Sequence, residues 1–233
     1  MKLHWKFFTM IRCGKYWLLS FFALLFVLRS HAQEDARFWI KAGVKKKFTQ
    51  KFDLEFASCL RLGDNYSRIN SYYFQLSGEY ELVKGVKIGL GARHAYRRKL
   101  SPEYHMRNRM SIWLDMKKTI IPGWELQYRP MYLRQYTDMY VSESGQVPTD
   151  YFRNKFGLQF KPKRKYSPFI SCELYYRIRY DYNNFNRIRY TLGIDYRFDK
   201  YNKITLSYRI QKRMNEKEPL TAYILIMEYG FVF

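Results

Sequence analysis

The sequence predicts an all-β protein: a transmembrane, antiparallel, up-and-down β-barrel of about 10–12 strands that follows a cleaved signal peptide. Apolar and polar residues alternate with a period of two through almost the whole chain after the leader, as in strands with one apolar face. No segment there approaches the run of about 18 apolar residues that a helical membrane span requires. The segment 220–233 has an aromatic face typical of the last strand of an outer-membrane barrel.

The N-terminal residues have the three-part pattern of a secretory signal peptide. Basic residues come first, at Lys2, Lys6, Arg12 and Lys15. An apolar run at 16–28 follows, and Ser30 and Ala32 supply small residues before a cleavage site. The run is shorter than the roughly 20 residues of a membrane-spanning helix, although an uncleaved anchor is the alternative. The sequence therefore predicts a signal peptide at 1–32 and an outer-membrane β-barrel domain at 33–233.

The chain is strongly basic, with 42 Lys and Arg against 20 Asp and Glu. Residues 1–32 hold five of the basic and none of the acidic residues, which leaves 37 against 20, a net charge of +17. Basic chains often bind nucleic acid. An exported protein does not meet intracellular nucleic acid, so we expect no nucleic-acid partner.

Eleven alternating segments follow the leader, each with one apolar face and one polar or small face. The apolar faces of the first five are Phe38, Ile40, Ala42 and Val44; Phe52, Leu54, Phe56, Leu60 and Leu62; Tyr72, Phe74, Leu76 and Tyr80; Val86, Ile88, Leu90 and Ala92; and Met110, Ile112, Leu114 and Met116. Segments of about ten alternating residues have the length that a tilted membrane strand needs.

The remaining six segments continue the pattern, and the ninth has the longest regular alternation. Their apolar faces are Trp124, Leu126, Tyr128 and Tyr132; Phe152, Phe156, Leu158 and Phe160; Ile170, Cys172, Leu174, Tyr176 and Ile178; Ile188, Tyr190, Leu192, Ile194, Tyr196 and Phe198; Ile204, Leu206, Tyr208 and Ile210; and Tyr223, Leu225, Met227, Tyr229, Phe231 and Phe233. Pro130 is expected to weaken or bend the sixth strand. Cys59 and Cys172 fall on opposite faces, so no disulfide scaffold is predicted.

The connections between segments alternate in length, which is typical of transmembrane barrels with short periplasmic turns and longer external loops. Short turns are expected near 49–50, 84–85, 122–123, 162–167 and 200–202. Longer loops are expected near 63–67, 98–104, 137–150, 181–184 and 213–219. A soluble β-sandwich would also alternate, but it would rarely keep one face so aromatic.

The strand count conflicts with barrel closure, because closed bacterial barrels normally have an even number of strands. We expect one of the eleven assignments to be wrong, with the segment at 38–45 the first suspect. The sequence does not decide between a barrel of ten strands and one of twelve.

The outward aromatic residues near the end of the sequence, Tyr229, Phe231 and Phe233, form a candidate assembly signal. In outer-membrane barrels the terminal strand is recognised by the barrel assembly machinery, so that machinery and outer-membrane lipids are the expected partners. An ordinary final strand of a soluble sheet is the alternative.

Charged residues on the inward faces are sorted by height. Acidic residues fall near the short-turn ends: Asp53, Glu55, Glu79, Asp115, Glu125, Asp195 and Glu228. Arginines fall in the middle or near the outer ends: Arg61, Arg93, Arg107, Arg109, Arg153, Arg177, Arg179, Arg187, Arg189 and Arg209. These arginines, without Arg61 and Arg179, are the predicted anion-binding zone of the lumen, because a low-dielectric wall focuses their field. The alternatives are interior ion pairing and contact with lipid phosphates at the rim.

Few residues suit catalysis. Nucleophilic catalysis needs Ser, Cys or Thr beside a base, usually His, and the mature chain has only His94 and His105. They could be neighbours across one hairpin, with Ser101 and Glu103 in the loop between them. We find no Gly-rich phosphate loop, metal-ligand cluster or paired cysteine motif, so no metal, cofactor or enzymatic activity is predicted. A lipid-modifying barrel enzyme that uses His94 or His105 is the alternative.

Several short runs carry a family resemblance: Phe38-Trp39, Leu60-Arg61, Met106-Arg107-Asn108-Arg109, Phe152-Arg153-Asn154-Lys155, and the segments 167–174 and 186–193. Through them the sequence resembles the uncharacterised outer-membrane barrels with a domain of unknown function, DUF2490-like. The resemblance implies the fold and a location in the cell outer membrane, and it implies no activity. From the residues we predict a non-enzymatic, narrow channel or binding barrel for small anionic solutes, or a membrane-structural protein.

Overall fold

The computed structural model describes residues 34–98, 103–138, 147–162, 165–179, 183–215 and 220–233. The alternating segments fold into eleven strands within one unit, Glu34–Phe233. They are β1 (Glu34–Lys47), β2 (Phe52–Gly63), β3 (Arg68–Val83), β4 (Val86–Arg98), β5 (Tyr104–Ile121), β6 (Trp124–Thr137), β7 (Thr149–Phe160), β8 (Tyr166–Ile178), β9 (Asn183–Arg197), β10 (Asn202–Arg213) and β11 (Thr221–Val232). The signal peptide predicted at 1–32 lies outside the described residues. Within the described ranges, no helix is long and apolar enough to span a membrane.

The strands form a closed barrel in which β1 pairs with β11 in parallel, from Glu34 opposite Thr221 to Lys45 opposite Val232. Every other neighbouring pair is antiparallel. The expectation of an even strand number was therefore wrong, and so was the doubt about 38–45, which lies within β1. An up-and-down barrel with an odd number of strands has its first and last strands running in the same direction, so only a parallel ladder can close it.

The two faces of the wall are those that the alternation predicts. Large apolar side chains cover the outer surface, where Leu192 is 62% exposed and Met110 is 67% exposed. Thr191, which precedes Leu192, and Trp113, three residues after Met110, belong to the inward set and are buried. A continuous exposed apolar surface of this kind is what a lipid-facing barrel presents.

Aromatic pairs link adjacent strands on the outer surface. Phe56 stacks on Phe74 with ring centroids 6.3 Å apart, and Tyr128 stacks on Phe156 at 4.8 Å. Such cross-strand pairs stabilise register because opposite side chains on one face are in contact. Around Pro130 the pairing between β5 and β6 is interrupted, and two residues of each strand lack a partner on the other strand. The β6 strand nevertheless continues through Pro130.

The aromatic face of β11 lies on the outer surface, as predicted. Phe231 stacks on Phe233 at 5.9 Å, and the Tyr229 hydroxyl donates to the Asn202 side chain at 2.5 Å. These contacts describe the position of the candidate assembly signal, and its recognition by the assembly machinery stays a prediction.

Glycine permits the two tightest connections, at Lys84–Gly85 and Pro122–Gly123. Gly85 has a φ of 87° and Gly123 a φ of 84°, in the left-handed region that other residues rarely adopt. The longest connections, 138–148 and 214–220, lie at the opposite end. The predicted length asymmetry holds for them, whereas 64–67 and 179–182 are as short as the turn at 198–201. We call the two ends of the barrel the short-turn end and the loop end.

Candidate functional site

The lumen at the short-turn end holds a basal layer of paired charges. It consists of the acids Asp53, Glu55, Glu79, Asp115, Asp195 and Glu228 with the cations Lys41, Lys45, Lys87, Lys117, Arg129 and Lys203. The predicted height of the acids is therefore confirmed, and their partners are mostly lysines of neighbouring strands. The seventh predicted acid, Glu125, pairs with Lys161 at 2.6 Å beside a turn.

Contacts in the basal layer reach beyond adjacent strands. Arg129 of β6 lies 2.5 Å from Asp115 of β5 and 3.7 Å from Glu79 of β3. The indole nitrogen of Trp113 donates to the same Glu79 carboxylate at 3.1 Å. Because each carboxylate has at least one cationic or hydrogen-bonding partner, this layer meets the requirement that buried charges be paired.

Glu173 of β8 is the acidic centre of the middle of the lumen, and its side chain is only 2% exposed. One carboxylate oxygen accepts from Arg153 at 2.7 Å, and the other accepts from the Tyr175 hydroxyl at 3.2 Å and from Arg189 at 3.4 Å. Arg189 also donates to the Tyr175 hydroxyl at 2.5 Å. A charged and hydrogen-bonded network of this kind is worth most where water is excluded.

Seven arginines form an arginine layer at this level: Arg61, Arg93, Arg109, Arg153, Arg187, Arg189 and Arg209. Several are held by neutral acceptors, since Arg93 donates to Gln75 at 2.9 Å, Arg109 to Gln135 at 2.8 Å and Arg209 to Thr191 at 2.9 Å. Neutral acceptors satisfy the donors but do not compensate the positive charge.

Aromatic rings inside the barrel stack against the guanidinium groups of some of these arginines. Arg61 lies 4.1 Å from the Trp39 ring centroid and 4.7 Å from that of Tyr73. Arg189 lies 4.7 Å from the Tyr175 ring. Stacking on an electron-rich face adds to the stabilisation of a buried cation.

Arginines of the arginine layer interact with residues on the other side of the lumen. Arg93 of β4 and Arg109 of β5 both interact electrostatically with Tyr175 of β8, on a distant part of the wall. Tyr175 and Glu173 are buried. Buried side chains from both halves of the wall are therefore close enough across the lumen for their charges to interact.

A cavity of about 750 Å³ opens at the loop end, which we call the vestibule. Its lining is Asp64, Arg68, Ile69, Asn70, Arg97, Arg98, His105, Arg107, Thr137 and Arg213. Strand ends position these residues, because β4 finishes at Arg98 and β5 begins beside His105. Five arginines and one carboxylate make this lining strongly positive.

Three of the vestibule arginines have no ion pair within the part of the chain that the structure describes. Of the lining residues, His105 contacts a carboxylate, with Nδ1 3.0 Å from Asp138. Among the described residues, Arg97, Arg98 and Arg107 form no ion pair, and the Arg107 Nε is buried without a hydrogen-bond partner. Guanidinium donors without acceptors are suited to a carboxylate or phosphate group.

Seven of the eight predicted anion-binding arginines divide between two places. Arg93, Arg109, Arg153, Arg187, Arg189 and Arg209 lie in the arginine layer, and Arg107 lines the vestibule. Arg177 lies on the inward face of β8 near its end but does not line the vestibule, and Arg179 follows that strand.

Sequence reasoning missed Arg68, Arg97, Arg98 and Arg213. Continuing the period of two from Arg93 through Ala95 would have placed Arg97 inward. The same extension of the tenth segment from Arg209 would have reached Arg213.

His94 and His105 are not neighbours, so the structure does not form the hairpin pair that the alternative of a histidine site would use. Asn108 stands opposite His94, and Arg97 stands opposite His105. His94 has its Nδ1 2.6 Å from Asn108 on the outer face, whereas His105 faces the vestibule. Their strand positions have opposite parity, which puts the two side chains on opposite faces of the wall. Ser101 lies outside the described residues.

Other reactive groups are also dispersed. Cys59 is buried on the inward face and Cys172 lies on the outer face, and both are free thiols. The described residues contain no group of three or more His, Cys, Asp or Glu side chains placed to hold a metal ion.

A sequence model of the family described as "Protein of unknown function (DUF2490)" matches residues 36–219. Among curated proteins, none matches the chain. A solved structure titled "Bacterial polysaccharide outer membrane secretin" is similar at 10% identity and a TM-score of 0.43, covering 74% of this chain and 72% of that one. A second, titled "Crystal Structure of the Beta Domain of the Bordetella Autotransporter Brka", has 10% identity and a TM-score of 0.45, covering 75% and 81%.

Proposed function

The chain belongs to the DUF2490 family of proteins of unknown function, and from its own geometry we propose that it is an outer-membrane barrel that binds small anionic solutes in the vestibule without conducting them. The location is supported by the closed wall, the exposed apolar outer surface and the predicted signal peptide. Lipid is the environment in which such a surface is stable.

The observation that carries the binding proposal is the vestibule lining. Arg97, Arg98 and Arg107 lie around one cavity without ion-pair partners among the described residues. A cavity of about 750 Å³ falls in the range of small-molecule sites. Arg presents two parallel donors to a carboxylate or phosphate, so a small anion can replace the missing acceptors.

Retention is favoured over conduction because of the layer beneath the vestibule. Tyr175 and Glu173 are buried among arginines from both halves of the wall. We expect that an ion could cross only by displacing this buried network. The binding barrel is therefore preferred to the narrow channel.

The geometry does not favour a lipid-modifying site in which His94 and His105 act together, because the two side chains face opposite sides of the wall. A non-catalytic role is accordingly part of the proposal.

Calorimetric titration of the vesicle-inserted barrel with inorganic phosphate tests the binding site. We expect the double variant Arg97→Gln, Arg107→Gln to bind phosphate at least about tenfold more weakly, since each charge-assisted hydrogen bond is worth about 1.5–3 kcal/mol. Arg134→Gln is the matched control, because Arg134 is an exposed arginine near the loop end that pairs with Asp150 at 2.9 Å and lies outside the vestibule lining. Equal phosphate affinity in the double variant and the wild type would refute the vestibule as the site.

A further inference from the structure

The short-turn end carries exposed lysines around its whole circumference. Lys46 and Lys51 flank the β1–β2 turn, Lys84 lies in the β3–β4 turn, and Lys118 precedes the β5–β6 turn. Lys165 and Lys200 lie in the two remaining turns. We call these six residues the lysine collar.

Exposed acidic residues hardly offset the lysine collar. Within the described residues of these turns and the adjoining strand ends, Asp199 is the exposed acid, and its oxygens are already engaged. It accepts from the Asn202 side chain and from the backbone amides of Tyr201 and Asn202. The side-chain hydrogen bond from Asn202 and the two backbone hydrogen bonds lower the pKa of Asp199. The end therefore has a strong positive excess.

Apolar side chains are exposed at the same height. Val83, Ile120 and Ile121 are each more than half exposed. The Lys46 amine lies 5.2 Å from the Phe48 ring centroid and 5.3 Å from that of Phe233. Amines held against lipid-facing rings are positioned as in residues that extend from hydrocarbon to the headgroup layer.

We propose that the lysine collar binds the phosphate groups of anionic phospholipids in the leaflet that meets the short-turn end. This inference rests on the proposed membrane location. A soluble polyanion would complement the positive charge but not the adjoining apolar rim. An anionic bilayer surface offers phosphate and hydrocarbon in adjacent layers, as the collar requires.

The test uses barrels inserted into vesicles of phosphatidylcholine with about one third phosphatidylglycerol, an anionic surface of the kind that attracts lysines. Insertion is measured by heat-modifiable gel mobility. After mild detergent extraction, native mass spectrometry counts the phospholipids that stay bound. We expect the wild type to retain phosphatidylglycerol over phosphatidylcholine by about fivefold or more relative to the vesicle composition, and Lys46→Gln, Lys118→Gln, Lys200→Gln to lose this preference.

Lys212→Gln is the control, because Lys212 is an exposed lysine near the loop end. It should retain the preference in full, and Lys46→Gln alone should reduce it. Equal lipid retention by the triple variant and the wild type would overturn the lysine collar while leaving the proposed function intact. So would collar-dependent binding of polyglutamate without any phosphatidylglycerol preference. Failure of the wild type to insert would overturn the proposed membrane location itself.

Discussion

Replacing Glu173 with glutamine is expected to destabilise the barrel by about 3–5 kcal/mol, the usual cost of leaving buried charge uncompensated. The variant keeps the size of the side chain and removes its charge. Glu173 directly contacts Arg153 and Arg189, and it also interacts electrostatically with Arg209 and Lys155. Without the carboxylate, cations brought together in the middle of the lumen repel one another.

Equilibrium unfolding of the inserted barrel in urea measures this free energy. Glu125→Gln is the control, because Glu125 pairs with a single cation, Lys161, beside a turn where that lysine side chain is 39% exposed. An exposed pair is worth about 0–1 kcal/mol. Adding Arg153→Gln to Glu173→Gln restores the charge balance and should recover part of the loss. If Glu173→Gln costs no more than Glu125→Gln, the arginine layer does not depend on its carboxylate.

Gly89→Ala is expected to destabilise the barrel by about 1–3 kcal/mol through overpacking. Gly89 stands opposite Trp113, whose buried indole lies directly over it. A Cβ at this position would overlap the indole ring. The added methyl group must therefore displace Trp113 and weaken its hydrogen bond to Glu79.

Gly230→Ala is the control for this substitution, since the nearest atom to a Cβ there is the Lys203 carbonyl oxygen at 4.0 Å. Both glycines face the inside of the barrel, so the two variants differ mainly in the room that a Cβ atom finds beside the backbone. Unfolding free energy and tryptophan fluorescence should change for Gly89→Ala and stay near wild type for Gly230→Ala. Equal stability of the two variants would show that Trp113 is free to move.

The strand faces could be predicted because a period of two is a local property of the chain. The facing of residues such as Leu192 and Thr191 follows from the pleat alone. Closure could not be predicted in this way. The parallel β1–β11 ladder depends on the total number of strands, and the usual even count argued against β1.

The sequence predicted the level of the charged residues along the barrel axis, but it did not predict their individual contacts. Inward acids near one end and arginines above them follow from strand direction and parity. The central position of Glu173 depends on which strands face one another across the lumen, which no local pattern contains. Arg97 was missed because the predicted segment stopped short, and the separation of His94 from His105 follows from the β4–β5 register.

The proposed function requires the arginine layer to close the lumen beneath the vestibule, so that a bound solute is retained. Single-channel conductance of the wild-type barrel in a planar bilayer tests this most directly, with insertion verified by heat-modifiable mobility of the same preparation. We expect inserted barrels to show no discrete conducting steps above the background of the bilayer. Stepwise openings with anion preference in a salt gradient would contradict the closed lumen and would establish an arginine-lined pore instead.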